Sequence, residues 1–290
     1  MTGTQKEASL AQAGAAVPES QLGFSFKRTE VKYRIPKDVY PVFMQAMEPW
    51  IVLDEYGLST ICNIYYDTDG ADLISRSLSK PAYKEKLRMR SYGVPGKDST
   101  VYCEIKKKYD GVVYKRRAAL PCAEAEAFLN DGRTPKEDSQ IIRELAYVRD
   151  FYKPQPALFL AYDREAFMGR HDPSMRMTID RNIRYRTDHL SLTDGDAGKR
   201  LDVNGDYLLE VKVNGALPLE IVKIMNDLKI YPASFSKYGA IYQEMNSNAK
   251  PAAAVQAGRR AAKAASAQRT AGRRKTRRVG RVLAALAHHS

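Results

Sequence analysis

The sequence predicts an α+β domain built on an antiparallel, barrel-like sheet, and three observations carry that prediction. Segments of alternating or β-branched character recur about eight times along the central part of the chain. Most of them follow one another at hairpin distance, and Asp110-Gly111 between two such runs is the strongest short hairpin signal in the chain. Stretches with helical apolar spacing are inserted between the strands and after them, which is the pattern of an antiparallel sheet with segregated helices.

Taken in order, residues 26–36 (FKRTEVKYRIP) alternate and stop at a proline, as a strand does. Residues 37–48 place Val39, Val42, Phe43 and Ala46 on one helical face, with Asp38 as the expected N-cap. Residues 59–69 (STICNIYYDTD) are β-branched and aromatic, and 84–93 (KEKLRMRSYG) alternate; both read as strands. Residues 100–120 divide at Asp110-Gly111 into two more. Helices are expected at 123–130 and 139–152, the second with Ile141, Leu145, Val148 and Tyr152 on one stripe. Residues 156–168, 175–186 and 207–213 complete the strands. Residues 219–229, with Ile221, Ile224, Met225 and Leu228 at helical spacing, and 237–245 read as the last helices.

Composition sets the outer bounds. The chain has 290 residues, 44% of them hydrophobic, enough to bury a core, and 47 basic against 34 acidic residues give a formal charge of +13. The excess is unevenly placed. Residues 247–290 carry Lys250, Arg259, Arg260, Lys263, Arg269, Arg273, Arg274, Lys275, Arg277, Arg278 and Arg281 with no acidic residue, in an alanine-rich background. Unopposed like charge with few apolar anchors makes this tail an expected disordered segment, and residues 1–23 are a second one. One folded domain is expected over 24–246. No run approaches 18 apolar residues, and the N-terminal segment lacks the apolar core of a secretory signal, so a cytoplasmic protein is expected. Three sparse cysteines, Cys62, Cys103 and Cys122, fit a reducing compartment. Phosphate-cradling G-x-x-x-x-G-K-[ST], dinucleotide G-x-G-x-x-G, nucleophile-elbow G-x-S-x-G and zinc H-E-x-x-H spacings are all lacking, so those chemistries have no support.

The informative feature is charge at alternate strand positions. Glu30, Lys32 and Arg34 share a face, as do Lys86, Arg88 and Arg90; Glu104, Lys106 and Lys108; Lys115 and Arg117; Glu210 and Lys212. Arg164 follows Tyr162, and Arg176 opens a strand with Asp180 on its face. In one strand such a pattern ordinarily marks a solvated outer face. Six strands with the same habit suggest convergence on one side of a closed sheet. Like charges ~6 Å apart repel by about 3 kcal/mol per pair at an effective dielectric of ~20, so a convergent lining calls for an anion. A linear phosphate chain meets that demand, with glutamates among the bases available to a divalent cation.

The run of motifs E-V-K at 30–32, K-L-R-M-R at 86–90, C-E-I-K-K-K at 103–108, V-Y-K-R-R at 113–117, Y-D-R at 162–164, R-M-T-I-D at 176–180, L-E-V-K at 209–212 and F-S-K-Y-G at 235–239 resembles the VTC domain. That is the polyphosphate polymerase domain of the vacuolar transporter chaperone complex, in the triphosphate tunnel metalloenzyme superfamily. The resemblance spans about 24–246 and covers neither tail. It implies an eight-stranded antiparallel β-barrel tunnel with inserted and flanking helices. It also implies catalytic roles for Arg88, Arg90, Lys106, Arg164 and Arg176, and phosphate binding by Lys32, Lys115, Lys212 and Lys237. Glu210 is implied as the main ligand of Mn²⁺ or Mg²⁺, with Glu30 and Glu104 as companions, and Asp180 as an orienting neighbour. One departure bears on the choice within the superfamily. Its CYTH branch opens with E-x-E-x-K, whereas Arg28, Glu30 and Lys32 stand at the matching positions here, which moves the reading toward the polymerase branch.

The activity expected from the resemblance is transfer of the γ-phosphate of ATP to inorganic polyphosphate. The alternatives are a tripolyphosphatase or nucleoside triphosphatase on the same tunnel, and a non-catalytic binder of polyphosphate or inositol polyphosphates. ATP and polyphosphate are the expected partners, with nonspecific polyanion or nucleic-acid contact by the tail and a separate membrane protein for any translocation.

Overall fold

Alternate residues of the strands segregate onto the two faces of one antiparallel sheet, and helices cover the outer face. The computed structural model describes residues 28–247, so the segments expected to be disordered, 1–23 and 247–290, lie outside the described residues but for Ser247. The elements are β1 (Arg28–Ile35), α1 (Tyr40–Met47), β2 (Ile51–Asp67), α2 (Asp72–Leu78), β3 (Tyr83–Tyr92), β4 (Thr100–Tyr109), β5 (Val112–Pro121), α3 (Cys122–Asp131), α4 (Gln140–Tyr152), β6 (Gln155–Gly169), β7 (Arg176–Arg186), β8 (Lys199–Arg200), β9 (Tyr207–Asn214) and α5 (Leu219–Asp227). A last helix, α6, runs over 237–247. The α+β antiparallel class is as expected.

The hydrogen-bonded order is β1-β9-β7-β6-β2-β3-β4-β5, with β8 attached to β7. The expectation of a closed barrel needs correction, because β1 and β5 end the path and do not pair with each other. The free edge of β1 is occupied instead by the segment before α6: Tyr33 bridges Pro232, and Ala233 donates its N–H to the Lys32 carbonyl at 2.8 Å. The sheet still curls far. The consecutive residues Phe235 and Ser236 reach Lys32 on β1 and Lys86 on β3 at 3.4 and 3.2 Å. The segment 232–237 therefore roofs a concave face.

Two apolar clusters lie on the convex face. Cys62, Ile64, Leu87, Met89, Cys103 and Ile105 pack under α3 and α4 through Phe128, Leu129, Ile142, Leu145 and Val148. Ile35, Met177, Leu209 and Val211 pack under α1 and α5 through Phe43, Met47, Ile221 and Met225. A third cluster lies inside the curl, where Tyr238 and Ile241 of α6 meet Ile61, Tyr65, Leu160, Tyr162 and Leu208. Full burial of such side chains contributes about 1.5–3 kcal/mol each, so the helices fix the curvature that the sheet presents inward.

Local chemistry explains the boundaries. Asp110 and Gly111 both take positive φ, 42° and 84°, as a two-residue type I′ turn requires. Ser139 caps α4 by accepting the Ile142 N–H at 3.3 Å. Asp38 does not cap α1; that helix starts at Tyr40 with Val39 at the cap and no side-chain bond. β2 starts at Ile51, earlier than expected, and its register shifts between Leu53 and Leu58, where Gly57 has φ +49°. α2 stands where the sequence pattern gives no helix. Its anchor is Asp67, 2% exposed, which accepts N–H groups of Thr68, Leu73 and Ile74 at 2.9–3.0 Å and the Tyr238 hydroxyl at 3.0 Å. The three cysteines are free and buried, with thiols pushed up to about 11–12 chiefly by burial. Among the described residues no helix is long and apolar enough to cross a membrane.

Asp67→Ala strips one acceptor from four donors, so it is expected to destabilise the domain by about 3 kcal/mol in urea unfolding. A loss below about 1 kcal/mol would show that Asp67 does not anchor α2 and α6.

Candidate functional site

Register alone places the alternating charges on one face. Lys32 lies opposite Glu210, Arg176 opposite Lys212, and Arg164 opposite Asp180. Tyr65 lies opposite Arg88 and Asn63 opposite Arg90; Arg88 then faces Glu104 and Lys86 faces Lys106. Glu104 faces Arg117, and Lys106 faces Lys115. This is the face that bears Ile61, Tyr65 and Tyr162, hence the concave one. All twelve residues singled out for the site stand on it or, for Lys237, on α6 above it.

The lining has two walls of different character. On β1, β9, β7 and β6 every base of the set has an acid. Arg164 binds Asp180 through both Nε and Nη2, at 2.6 and 2.8 Å, and Lys237 reaches the same carboxylate at 2.5 Å. Lys212 pairs with Glu210, Lys32 lies 3.8 Å from Glu210 and 3.7 Å from Glu30, and Arg176 lies 3.8 Å from Asp54. On β3, β4 and β5 the acid at the centre is Glu104, 1% exposed, which takes Arg88 and Lys115 at 2.7 Å with Arg90 at 4.0 Å. Among the described residues, Lys86, Lys106 and Arg117 on this wall have no carboxylate within 4.0 Å.

Aromatic and amide groups set the arginines in place. Arg90 donates to Asn63 Oδ1 at 2.9 Å and to the Tyr162 hydroxyl at 3.1 Å, while Asn63 donates its amide to the Leu160 carbonyl at 2.9 Å. The Tyr162 ring carries Arg164 and Lys237 at 5.2 and 4.4 Å from its centroid, so one side chain spaces three cations. Arg88 donates to the Tyr65 hydroxyl at 3.2 Å, and Arg117 lies 3.9 Å over the Tyr102 ring. Lys86, Tyr65, Tyr162 and Asn63 are site residues missing from the set chosen from sequence. Lys86 had the right parity; the aromatic residues carried no charge to draw attention.

The electrostatics follow from this packing. Burial raises the carboxyl of Glu104, but Arg88, Arg90 and Lys115 outweigh it and hold it at about 2. Glu210 is raised by burial, yet Lys212, Lys32 and Arg164 hold it at about 2 as well. Asp180, likewise opposed by burial, is held below the ordinary carboxylate range by Lys237 and Arg164. The Tyr65 phenol is raised by burial and lowered further by Arg88, Lys86 and Arg90, which leaves it at about 8. Burial lowers Lys86, and Lys84, Lys106 and Lys32 add to that against Tyr65. Any anion bound on this face would have to take these donors from the carboxylates that hold them, whereas Lys86 and Lys106 present no such competition among the described residues.

For a divalent cation, the structure brings Glu30 and Glu210 to either side of Lys32 and places Glu104 on the other wall with Arg88 and Lys115. No group of three His, Cys, Asp or Glu is assembled among the described residues. One or two carboxylates still fit Mg²⁺ or Mn²⁺, hard ions that complete their shells with water and substrate phosphate. Glu210 with Glu30 beside it is the pair of the right chemistry.

A family model described as the VTC domain matches residues 27–246. Among solved structures, the chain is similar to a putative adenylate cyclase from Bacillus halodurans, at 14% identity and a TM-score of 0.47, over 71% of this chain and 92% of that one. It is similar to a putative adenylyl cyclase from Hippeastrum with a dominant triphosphatase activity, at 15% identity and TM-score 0.43, over 74% and 95%. It is also similar to a Mimivirus capping enzyme triphosphatase, at 9% identity and TM-score 0.30, over 69% and 87%. No curated protein matches the chain.

Phosphate at Arg88, Lys86 and Arg90 would cancel the charges that lower Tyr65. Its phenol, followed by phenolate absorbance against a Tyr65→Phe control, is expected to titrate near 8 in free protein and to move up with tripolyphosphate. An unmoved titration would place the anion elsewhere. Glu104 supplies a second test. Its folded carboxyl lies below the ordinary 4.5, so the unfolded chain binds this proton first as pH falls. Its contribution to stability is full above about 4.5 and lost toward about 2. Glu104→Gln is expected to flatten that part of the stability-against-pH curve, and an unchanged slope would refute the assignment.

Proposed function

The chain belongs to the VTC domain family over residues 27–246, and on that premise we propose that it is a polyphosphate polymerase, transferring the γ-phosphate of ATP to a polyphosphate chain held in the curl of the sheet. The observation that carries this reading is the chemistry of the lining. Bases from seven strands converge there, and its carboxylates, the buried Glu104 and Asp180 and the half-buried Glu210, are all kept ionised by cations.

Phosphoryl transfer asks a protein mainly for alignment and charge stabilisation. The terminal oxygen of a polyphosphate chain is already anionic. It attacks the γ-phosphorus, the bond from that phosphorus to the bridging oxygen of the β-phosphate breaks, and ADP leaves, with no proton to remove. Arg88 and Arg90, fixed by Glu104, Tyr65, Asn63 and Tyr162, suit a grip on the transferring group. Arg164 and Lys237 on the opposite wall suit the neighbouring phosphates once these displace Asp180. Lys32, Lys106, Lys115, Arg176 and Lys212 hold the rest of the anion by charge. A divalent ion held by Glu210 and Glu30 would neutralise charge on phosphate oxygens.

Hydrolysis makes a further demand, a group that takes a proton from water and therefore titrates near the working pH. Glu104 and Glu210, at about 2, are poor acceptors for that proton, so neither carboxylate suits the activation of water.

Incubation with ATP and Mn²⁺ is expected to give long-chain polyphosphate on a gel. Orthophosphate as the sole product would establish a triphosphatase instead, and no turnover at all would leave a polyanion binder. Arg88→Ala is expected to lower kcat by at least about a hundredfold. Full turnover in that variant would place the chemistry outside this lining.

A further inference from the structure

The base-rich wall does not stop at the residues assigned to the site. Two residues beyond the Lys86–Lys106 pair, toward the β4–β5 turn, Lys84 stands opposite Lys108 on the same face. Lys80 follows α2 just before β3 begins. Among the described residues, none of Lys80, Lys84, Lys86, Lys106 and Lys108 has a carboxylate within 4.0 Å. Lys84 donates only to the Ser77 carbonyl, and Lys86 to the Ser236 hydroxyl, each at 3.2 Å. Burial and then the charges of Lys108, Lys80 and Lys106 push the Lys84 amine down, with no anion acting the other way.

The opposite wall makes the contrast plain. There, Lys32, Lys212, Arg164 and Arg176 each lie within 4.0 Å of a carboxylate. A row of lysines gathered without a counter-charge repels itself, and a bound polyanion removes that cost. The row is continuous with the lining at Lys86 and Lys106 and leads outward to the turn at Asp110-Gly111.

We propose that this lysine row is the path by which a linear phosphate polymer continues out of the lining, so that the chain emerges past the β4–β5 turn. The proposal rests on the lining being a phosphate-binding tunnel; it does not depend on which way the reaction runs there. Inorganic polyphosphate fits the row better than single-stranded nucleic acid does. Strand binders of that kind stack bases on aromatic rings, whereas the register neighbour of Lys108 on β5 is Val113, and the exposed Tyr83 and Tyr109 beside the row alternate onto the other face.

Lysine acylation of the full-length protein, mapped peptide by peptide, tests this without relying on turnover and separates the row from the basic tail. The probes are tripolyphosphate, long-chain polyphosphate and single-stranded DNA. Tripolyphosphate is expected to protect Lys106 and Lys115 and to leave Lys84 and Lys108 reactive. Long-chain polyphosphate is expected to slow acylation at Lys84 and Lys108 as well, by roughly fivefold or more, as contact with phosphate engages the amines. Lys84 and Lys108 left reactive while long chains protect Lys106 and Lys115 would overturn the path but keep the tunnel. No protection at Lys106 and Lys115 by either phosphate probe would overturn both. Equal protection of Lys84 and Lys108 by DNA would overturn polyphosphate as the occupant. Protection as expected, in a protein that makes no polymer from ATP, would uphold the path and reject only the polymerase reading.

Discussion

The structure turns on a repulsion. Seven strands bring lysine and arginine to the inside of one curled sheet, where like charges stand on neighbouring strands. Such a face does not hold itself together. Asp180, Glu104 and Glu210 act against that repulsion as three buried or half-buried hubs, each touching two or more bases from different elements. Asp180 ties β6 to β7 and also to α6, so the anion that neutralises the lining also holds the helix over it.

Since the concave face contributes charge rather than apolar burial over much of its area, cohesion must come from elsewhere. The convex face supplies it through two clusters covered by α3 with α4 and by α1 with α5. Inside the curl the apolar contribution is confined to the strip where Tyr238 and Ile241 pack. Tyr162 belongs to that strip and to the site at once: its ring is 3% exposed among apolar neighbours, while its hydroxyl and faces meet Arg90, Arg164 and Lys237. Packing that locks Tyr162 therefore also sets the spacing of three cations, and a well-packed neighbourhood keeps that geometry rigid.

Much of this was legible in the sequence because a period of two is a statement about direction. Knowing only that Lys86, Arg88 and Arg90 alternate is enough to send them to one side, and the register then sends Glu104, Lys106 and Lys115 to the same side. Asp110-Gly111 was readable for a similarly local reason: its turn type requires positive φ twice. What escaped depends on distant partners. Asp67 gives no local sign that it will bind α2 and Tyr238, 171 residues away. The first part of β2 is interrupted at Gly57 and does not alternate cleanly. Closure could not be read either, because the groups on the edge of β1 are taken by Pro232 and Ala233, in a segment with no strand pattern. The glutamates show the same limit. Glu30, Glu104 and Glu210 have equivalent parity, yet strand order separates Glu104 from the other two and gives it to Arg88 and Lys115.

The unequal walls bear on how a polyanion is held without being trapped. On the wall of β6, β7 and β9, a phosphate oxygen would have to compete with a carboxylate already in place, so binding there would be an exchange of partners with a small net gain. On the wall of β3, β4 and β5, Lys86 and Lys106 face no such rival, and an arriving phosphate also relieves their mutual repulsion. On the polymerase reading, a chain would rest its weight on Lys86 and Lys106 beside the Arg88–Arg90 grip, while the phosphates that cross to the first wall would make contacts that can be returned to Asp180 or Glu210 as the chain moves on. Strong and uniform binding along both walls would lower the energy of the resting chain as much as that of the transition state, which does nothing for the chemical step. On the proposed reading, the internal acids would keep one wall reversible, a physical reason for carboxylates to stand among the bases of such a lining.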